Sequence, residues 1–191
     1  MGIKITDEMR EYAHRESEKR ESHIHHHFRV SHLSNDGTNF IGFLGEFACC
    51  EMLGIDWKLN IRENYEKIDS GDIKIGKYVI DVKTETIPQP YFDMVINNKI
   101  DDDEKYGRRL IFEKQFSLLS KYDYVLFGGF VRDYYSTWYP LGYISTDYIL
   151  QHYQPTKKTP FGGEYPSPAA PVKTSELGRI KKFIELLSDE K

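Results

Sequence analysis

Three side chains raise the question of chemistry: Asp72, Asp81 and Lys83, in the stretch SGDIKIGKYVIDVKTE over 70–85. Two short apolar runs flank Gly76–Lys77, and a two-residue loop that begins with glycine suits a type II′ turn between antiparallel strands. Such a loop pairs Ile75 with Tyr78, Lys74 with Val79, Ile73 with Ile80 and Asp72 with Asp81. Directly opposed residues carry their side chains on one face, with Cβ atoms about 5 Å apart. Two aspartates so placed destabilise a sheet unless one is protonated or a cation lies between them. Strand alternation adds Lys83 and Glu85 to the face of Asp81 and leaves Tyr78, Ile80 and Val82 on the apolar face. A solvated edge hairpin also alternates, and that plain reading stands beside the functional one. Facing carboxylates are nevertheless a poor solvent surface and a good donor set for a hard divalent ion.

Other elements must position this hairpin. Residues 38–53, TNFIGFLGEFACCEML, predict a mostly apolar helix capped at its end by Gly54. Around Glu46 the helical neighbours are Gly42, Phe43, Cys49 and Cys50, so its carboxylate faces no wet surface. Glu51 also has apolar neighbours, and periodicity does not choose between the two; its place near Gly54 favours solvation. A strand is expected at Trp57–Ile61, irregular chain over 88–103 with the acidic run DDDE, and a helix over 104–120. YDYVLFGGFVRD and STWYPLGYIS predict two buried strands, followed by a short helix after Ser145. Five of the eight prolines fall between Gln154 and Pro171, which predicts an extended segment over 154–173. A last helix is expected over 174–188, with Leu177, Ile180, Phe183, Ile184 and Leu187 turned to the core. A polar helix over 5–22, with Met9, Tyr12 and Ala13 as its stripe, docks weakly; the His-rich run HIHHHFRVSH reads as polar surface.

GFLGEFACCEMLG followed by GDIKIGKYVIDVKTE resembles the PD-(D/E)XK nuclease superfamily, whose pattern is a helix Glu, a strand Asp and a (D/E)-x-K on the adjacent strand. On this chain those positions are Glu46, Asp72, Asp81 and Lys83; the proline that names the motif is replaced by Gly71. The resemblance spans about residues 40–150. It implies an α/β fold of restriction-endonuclease-like type, a mixed β-sheet core over about 38–152 flanked by helices, with extra N- and C-terminal helices. It further implies a catalytic set of Glu46, Asp72, Asp81 and Lys83, and Mg²⁺ (with Mn²⁺ as a substitute) held by Asp72, Asp81, the Val82 carbonyl and Glu46. Glu85 ranks lower on the same face. Gln115 stands for the helix Gln of the RecB-like branch, which DVKT also resembles; with two cysteines an iron–sulfur cluster is not expected. The implied activity is an endodeoxyribonuclease leaving 5′-phosphate and 3′-hydroxyl ends, a restriction-type enzyme or the cleavage subunit of one. The alternative is a catalytically inactive nuclease-fold protein that binds DNA or assembles with partners.

Composition bounds the rest. At 191 residues the chain suits one domain. Cys49 and Cys50 are adjacent and alone, which excludes a disulfide framework and points to a reducing, cytoplasmic setting, bacterial or in a phage-infected cell. No apolar stretch reaches membrane-spanning length. The net charge of −4 means that any grip on DNA is local, with Lys74, Arg108, Arg109 and Lys114 as candidate phosphate contacts and ordinary surface charge the plainer reading of each. Recognition would then come from loops, a homodimer or a separate DNA-recognition subunit.

Overall fold

The Gly76–Lys77 turn sets the register of the central sheet. In the computed structural model, which describes residues 2–21, 35–61 and 72–188, β2 (Ile73–Ile75) and β3 (Tyr78–Ile87) pair antiparallel through Ile73–Ile80, Lys74–Val79 and Ile75–Tyr78, as the turn requires. Gly76 has φ 54° and Lys77 lies outside the positive-φ region, the pattern of a type II′ loop. Beyond the hairpin, β3 pairs parallel with β5 (Tyr124–Val131), and β5 pairs antiparallel with β6 (Tyr134–Ser145). β1 (Ile3–Lys4) closes the far edge, giving a five-stranded mixed sheet in the order β1-β6-β5-β3-β2. A second sheet, antiparallel, runs β4 (Arg108–Phe112), β8 (Glu164–Lys173), β7 (Thr156–Lys158).

The two faces of the mixed sheet bury different cores. On one face Ile80, Val82, Leu126, Phe130 and Trp138 meet α2 (Asn35–Met52), and α1 (Asp7–Glu21) packs outside α2. On the other, Val125, Phe127 and Ile144 meet Ile111, Ala170 and Val172 of the second sheet and Ile149 of α5 (Thr146–His152). The protein is therefore mixed α/β, with six helices among the described residues. None of them is long and apolar enough to cross a membrane.

Gly45 lets α2 come down on β3. A Cβ there would stand 1.7 Å from Thr84 Oγ1, whereas one at Gly42 would meet nothing within 4 Å. Gly→Ala in a helix gains about 1 kcal/mol in propensity, but overpacking costs about 1–3 kcal/mol. Gly42→Ala is therefore expected to raise the melting temperature and Gly45→Ala to lower it. Equal behaviour of the two variants in thermal melts would mean that α2 does not cross β3 at this point.

Several elements differ from expectation. The predicted strand at Trp57–Ile61 is a 3-10 turn, Trp57–Asn60, capped by Asp56 and held by Trp57 packed on Tyr12 and Phe47. The irregular stretch contains α3 (Gln89–Ile96): Pro90 sits in its first turn, where no N–H is missed, and Phe92 and Val95 are buried. The helix expected over 104–120 is instead β4, a single short turn α4 (Glu113–Phe116) and a 3-10 turn at Leu119–Lys121, because Arg109 and Ile111 alternate inward. The proline-rich segment contributes β7 and β8. Pro166 and Pro168 fall within the register slip between these strands, where no ladder bond is lost. The last helix, α6 (Ile180–Ser188), starts later than expected because Gly178 exchanges backbone hydrogen bonds with Tyr143. α1 docks more firmly than its composition suggests, burying Met9, Ala13, Glu16 and Ser17. The His-rich run lies outside the described residues.

Candidate active site

Asp72 opens β2 at the sheet edge. Its N–H donates to the Ile80 carbonyl at 3.1 Å, and its Oδ2 accepts the Val82 N–H at 2.7 Å. The carboxylate thus continues the hairpin ladder and is drawn toward β3. Asp81 is 4% exposed. Lys83 Nζ stands 2.7 Å from both of its oxygens and donates a hydrogen bond to Oδ1. The approach to Oδ2 is an ionic contact without hydrogen-bond alignment, and among the described residues this buried oxygen has no aligned hydrogen-bond donor.

Burial pushes the Asp81 carboxyl up to about 6, the Lys83 ammonium opposes the rise, and the Asp72 carboxylate adds to it. The repulsion inferred from the turn is present but smaller than the pull of Lys83; burial is what keeps the carboxyl raised.

β3 alternation separates this group from α2. Val82 and Thr84 face the helix, and Asp81, Lys83 and Glu85 turn to the side of Val125 and Phe127. Glu46 lies on α2, 5% exposed, its Oε2 accepting from Asn60 Nδ2 at 3.2 Å. Glu46 and Asp72 both act on the Cys50 thiol, which burial, then Glu46, then Asp72 push up to about 12. Burial does most to raise the Cys49 thiol, and the same two carboxylates add to it. Asp72 at the sheet edge is therefore the member of the hairpin pair that shares with Glu46 an influence on these thiols. Glu51 is exposed, so the ambiguity that periodicity left between the two glutamates is resolved in favour of a buried Glu46.

The remaining expected residues divide. Arg109 is fully buried and ion-paired with Glu85, and it also donates to the Tyr106 carbonyl. It is a tie between the two sheets, not a phosphate contact, and this corrects the expectation. Glu85 is occupied by that pair, its carboxyl raised by burial against the pull of Arg109. Arg108 is held by Asp103 at 2.6 Å and by the Asp102 carbonyl. Lys74 and Lys114 are exposed and Gln115 is half-buried. Sequence reading missed Asn60, which holds Glu46, and Asp123, whose Oδ2 accepts the Val79 N–H at 2.7 Å and anchors the start of β3. A polar residue directly before a buried strand run was the available signal for Asp123.

Among the described residues no group of three or more His, Cys, Asp and Glu side chains is arranged to hold a metal ion, so Glu46 does not join Asp72 and Asp81 as a third ligand. The donor set that remains fits Mg²⁺: this ion is often bound by one or two carboxylates and keeps several waters. The buried Oδ2 of Asp81 already meets the Lys83 ammonium, so a metal ion would share this carboxylate with the lysine.

The raised Asp81 carboxyl has a measurable consequence. It binds its proton more tightly in the folded chain than in the unfolded one. Its contribution to stability is therefore full below about pH 4 and is lost as pH rises through about 6. The loss is on the order of 2–3 kcal/mol. In metal-free buffer, Asp81→Asn is expected to flatten the stability profile between these limits and to melt higher than wild type at pH 7.5. Millimolar Mg²⁺ should raise the melting temperature of wild type and not of the variant. Identical pH profiles for the two proteins would remove the charge conflict from the site.

Comparison of the chain with protein-family models, with curated proteins and with solved structures finds no match in any of the three.

Proposed function

We propose that the chain is a Mg²⁺-dependent endodeoxyribonuclease of PD-(D/E)XK type, on a restriction-endonuclease-like fold. The observation that carries this reading is the buried Asp81 carboxylate, ion-paired with Lys83 and within electrostatic reach of the half-buried Asp72 at the hairpin edge. Asp72, Asp81 and the Val82 carbonyl would hold the ion. Bound there, Mg²⁺ would neutralise charge on the phosphoryl oxygens and lower the pKa of a coordinated water. Lys83, already fixed by Asp81, orients the attacking water and stabilises the charge that develops on the phosphate. The buried Glu46 carboxylate, which with Asp72 acts on the Cys50 thiol, would hold a water or accept its proton. Ionised Asp81 is the binding form, so activity falls on the acid side of about pH 6. Products carry 5′-phosphate and 3′-hydroxyl ends. Because the net charge is −4, recognition of long duplex falls to a second copy of the chain or to a separate subunit.

The test is incubation of supercoiled plasmid with Mg²⁺, with and without EDTA. Nicked or linear product only in the metal-containing arm supports the proposal, and intact plasmid in both arms rejects it. The absence of a third carboxylate at the pair, among the described residues, favours a second reading, a nuclease-fold protein that binds DNA without cutting. Retarded but uncut plasmid at millimolar Mg²⁺ is its signature.

A further inference from the structure

The second sheet carries a charge arrangement that mirrors the hairpin with opposite sign. Arg108 on β4 lies directly opposite Lys173 on β8 in the antiparallel register. Two cations so placed repel across a sheet as two aspartates do. Asp103 partly compensates Arg108, and Glu176 stands 3.6 Å from Lys173 Nζ. Glu176 is itself engaged, its Oε2 accepting the Tyr153 hydroxyl at 2.5 Å, while that hydroxyl accepts the Lys173 N–H at 3.1 Å. Arg108, Tyr153, Lys173 and Glu176 line a cleft of about 380 Å³, within the range of small-ligand sites.

The other wall of the cleft is aromatic. Tyr148 and His152 share one face of α5, four residues apart, and their rings stack with centroids 4.0 Å apart and planes at 17°. The Tyr148 carbonyl is 2.9 Å from His152 Nδ1, which fixes the imidazole against the helix. Tyr148 is 37% exposed, a large flat surface left to solvent beside the two cations. α5 is also tied to the strand that bears Asp81: the Thr146 N–H donates to the Asp123 carbonyl at 3.0 Å, and Asp123 exchanges hydrogen bonds with Val79.

We propose that this cleft binds an unpaired nucleotide, its base stacked on the Tyr148–His152 pair and its phosphate held between Arg108 and Lys173. Stacking on an aromatic side chain tolerates any base, and paired cations match a phosphate, so the chemistry selected is a phosphorylated nucleobase rather than a sequence. The inference rests on the nuclease reading only for the source of that nucleotide, a single-stranded end or flap of the substrate.

The test uses the full chain in EDTA, so that binding is read without cleavage. Fluorescence anisotropy with a labelled oligothymidylate is compared with an abasic chain of the same length, and thymidine monophosphate is titrated by calorimetry. Wild type is expected to prefer the oligothymidylate to the abasic chain. Tyr148→Ala should weaken binding roughly 5- to 100-fold and Tyr148→Phe should restore it. Lys173→Ala should weaken binding and reduce the dependence on salt by about one phosphate contact. Equal affinity for the abasic chain, or no effect of Tyr148→Ala and Lys173→Ala, overturns the proposal. Thymidine monophosphate bound as tightly as the oligonucleotide assigns the cleft to free nucleotides, and weaker binding assigns it to nucleic acid. Plasmid cleavage by wild type is measured alongside. Lost binding with intact cleavage overturns the cleft alone, and intact binding without cleavage overturns the nuclease reading alone.

Discussion

Lys83→Ala is expected to reduce Mg²⁺-dependent cleavage by roughly 10³-fold while the chain stays folded and still binds metal and DNA. The lysine is 18% exposed, pairs with Asp81 and belongs to neither hydrophobic core, so its removal leaves no hole in them. What it removes is the ammonium held against Asp81. The Asp81 carboxyl, already raised to about 6, then rises further. At pH 8 no ammonium competes with the ion for the Asp81 carboxylate, so Mg²⁺ affinity holds or improves. Cleavage fails because no group is left to orient the water. Lys83→Arg refines the assignment, since guanidinium keeps the charge and cannot give up a proton near neutrality. Recovery by Arg makes the role electrostatic, and failure of both variants makes it one of proton transfer. Ca²⁺ in place of Mg²⁺ should likewise permit binding without cutting. Near wild-type turnover by Lys83→Ala would break the motif assignment at its most specific residue.

The hairpin was legible because everything it needs is local. One glycine sets the turn, the turn sets the register, and alternation sets the faces, so Lys83 meets Asp81, while Asp72, just beyond the ladder that ends at Ile73–Ile80, reaches β3 through the Val82 N–H. The two strands after it were legible for the same reason, as long apolar runs bounded by polar turns. The second sheet was not. β4 pairs with β8 far along the chain, and its core position 109 holds an arginine, which reads as surface until Glu85 is placed beside it. With that position counted as polar, the alternation of β4 disappears and the stretch looks helical. Pro166 and Pro168 read as breakers because the register slip that accommodates them depends on β7. Trp57–Ile61 shows the converse, aromatic and aliphatic residues suited to a strand but captured into a turn by the Asp56 cap and the packing of Trp57. The cleft at Tyr148 and Lys173 was hidden for the reason that hid the sheet, since its cations come from two strands distant in sequence.

Glu46 and Glu51 provide the second large effect. They stand five residues apart on α2, which is about 140° around the helix, so they cannot serve the same site. Glu51 is exposed and lines a shallow cleft with Gly2, Glu8 and Trp57 at the start of α1. Glu46 is buried, held by Asn60, and shares with Asp72 the field that raises the Cys50 thiol. α2 packs on the face of β3 opposite Asp81, so any catalytic role of Glu46 runs through the sheet edge at Asp72. Glu46→Gln keeps the oxygen that accepts from Asn60 and removes only the charge. It is expected to slow cleavage roughly 10²-fold or more, the loss typical of a displaced catalytic group, with the fold unchanged. Glu51→Gln should leave the rate within about 2-fold, because an exposed carboxylate remote from the pair does not perturb the reacting charge. Steady-state cleavage at saturating Mg²⁺ compares the two. A large loss for Glu51→Gln would move the site to the other side of α2. Unchanged rates for both would confine the chemistry to Asp72, Asp81 and Lys83, with the buried Glu46 serving only to hold Asn60 and the turn at Trp57–Asn60.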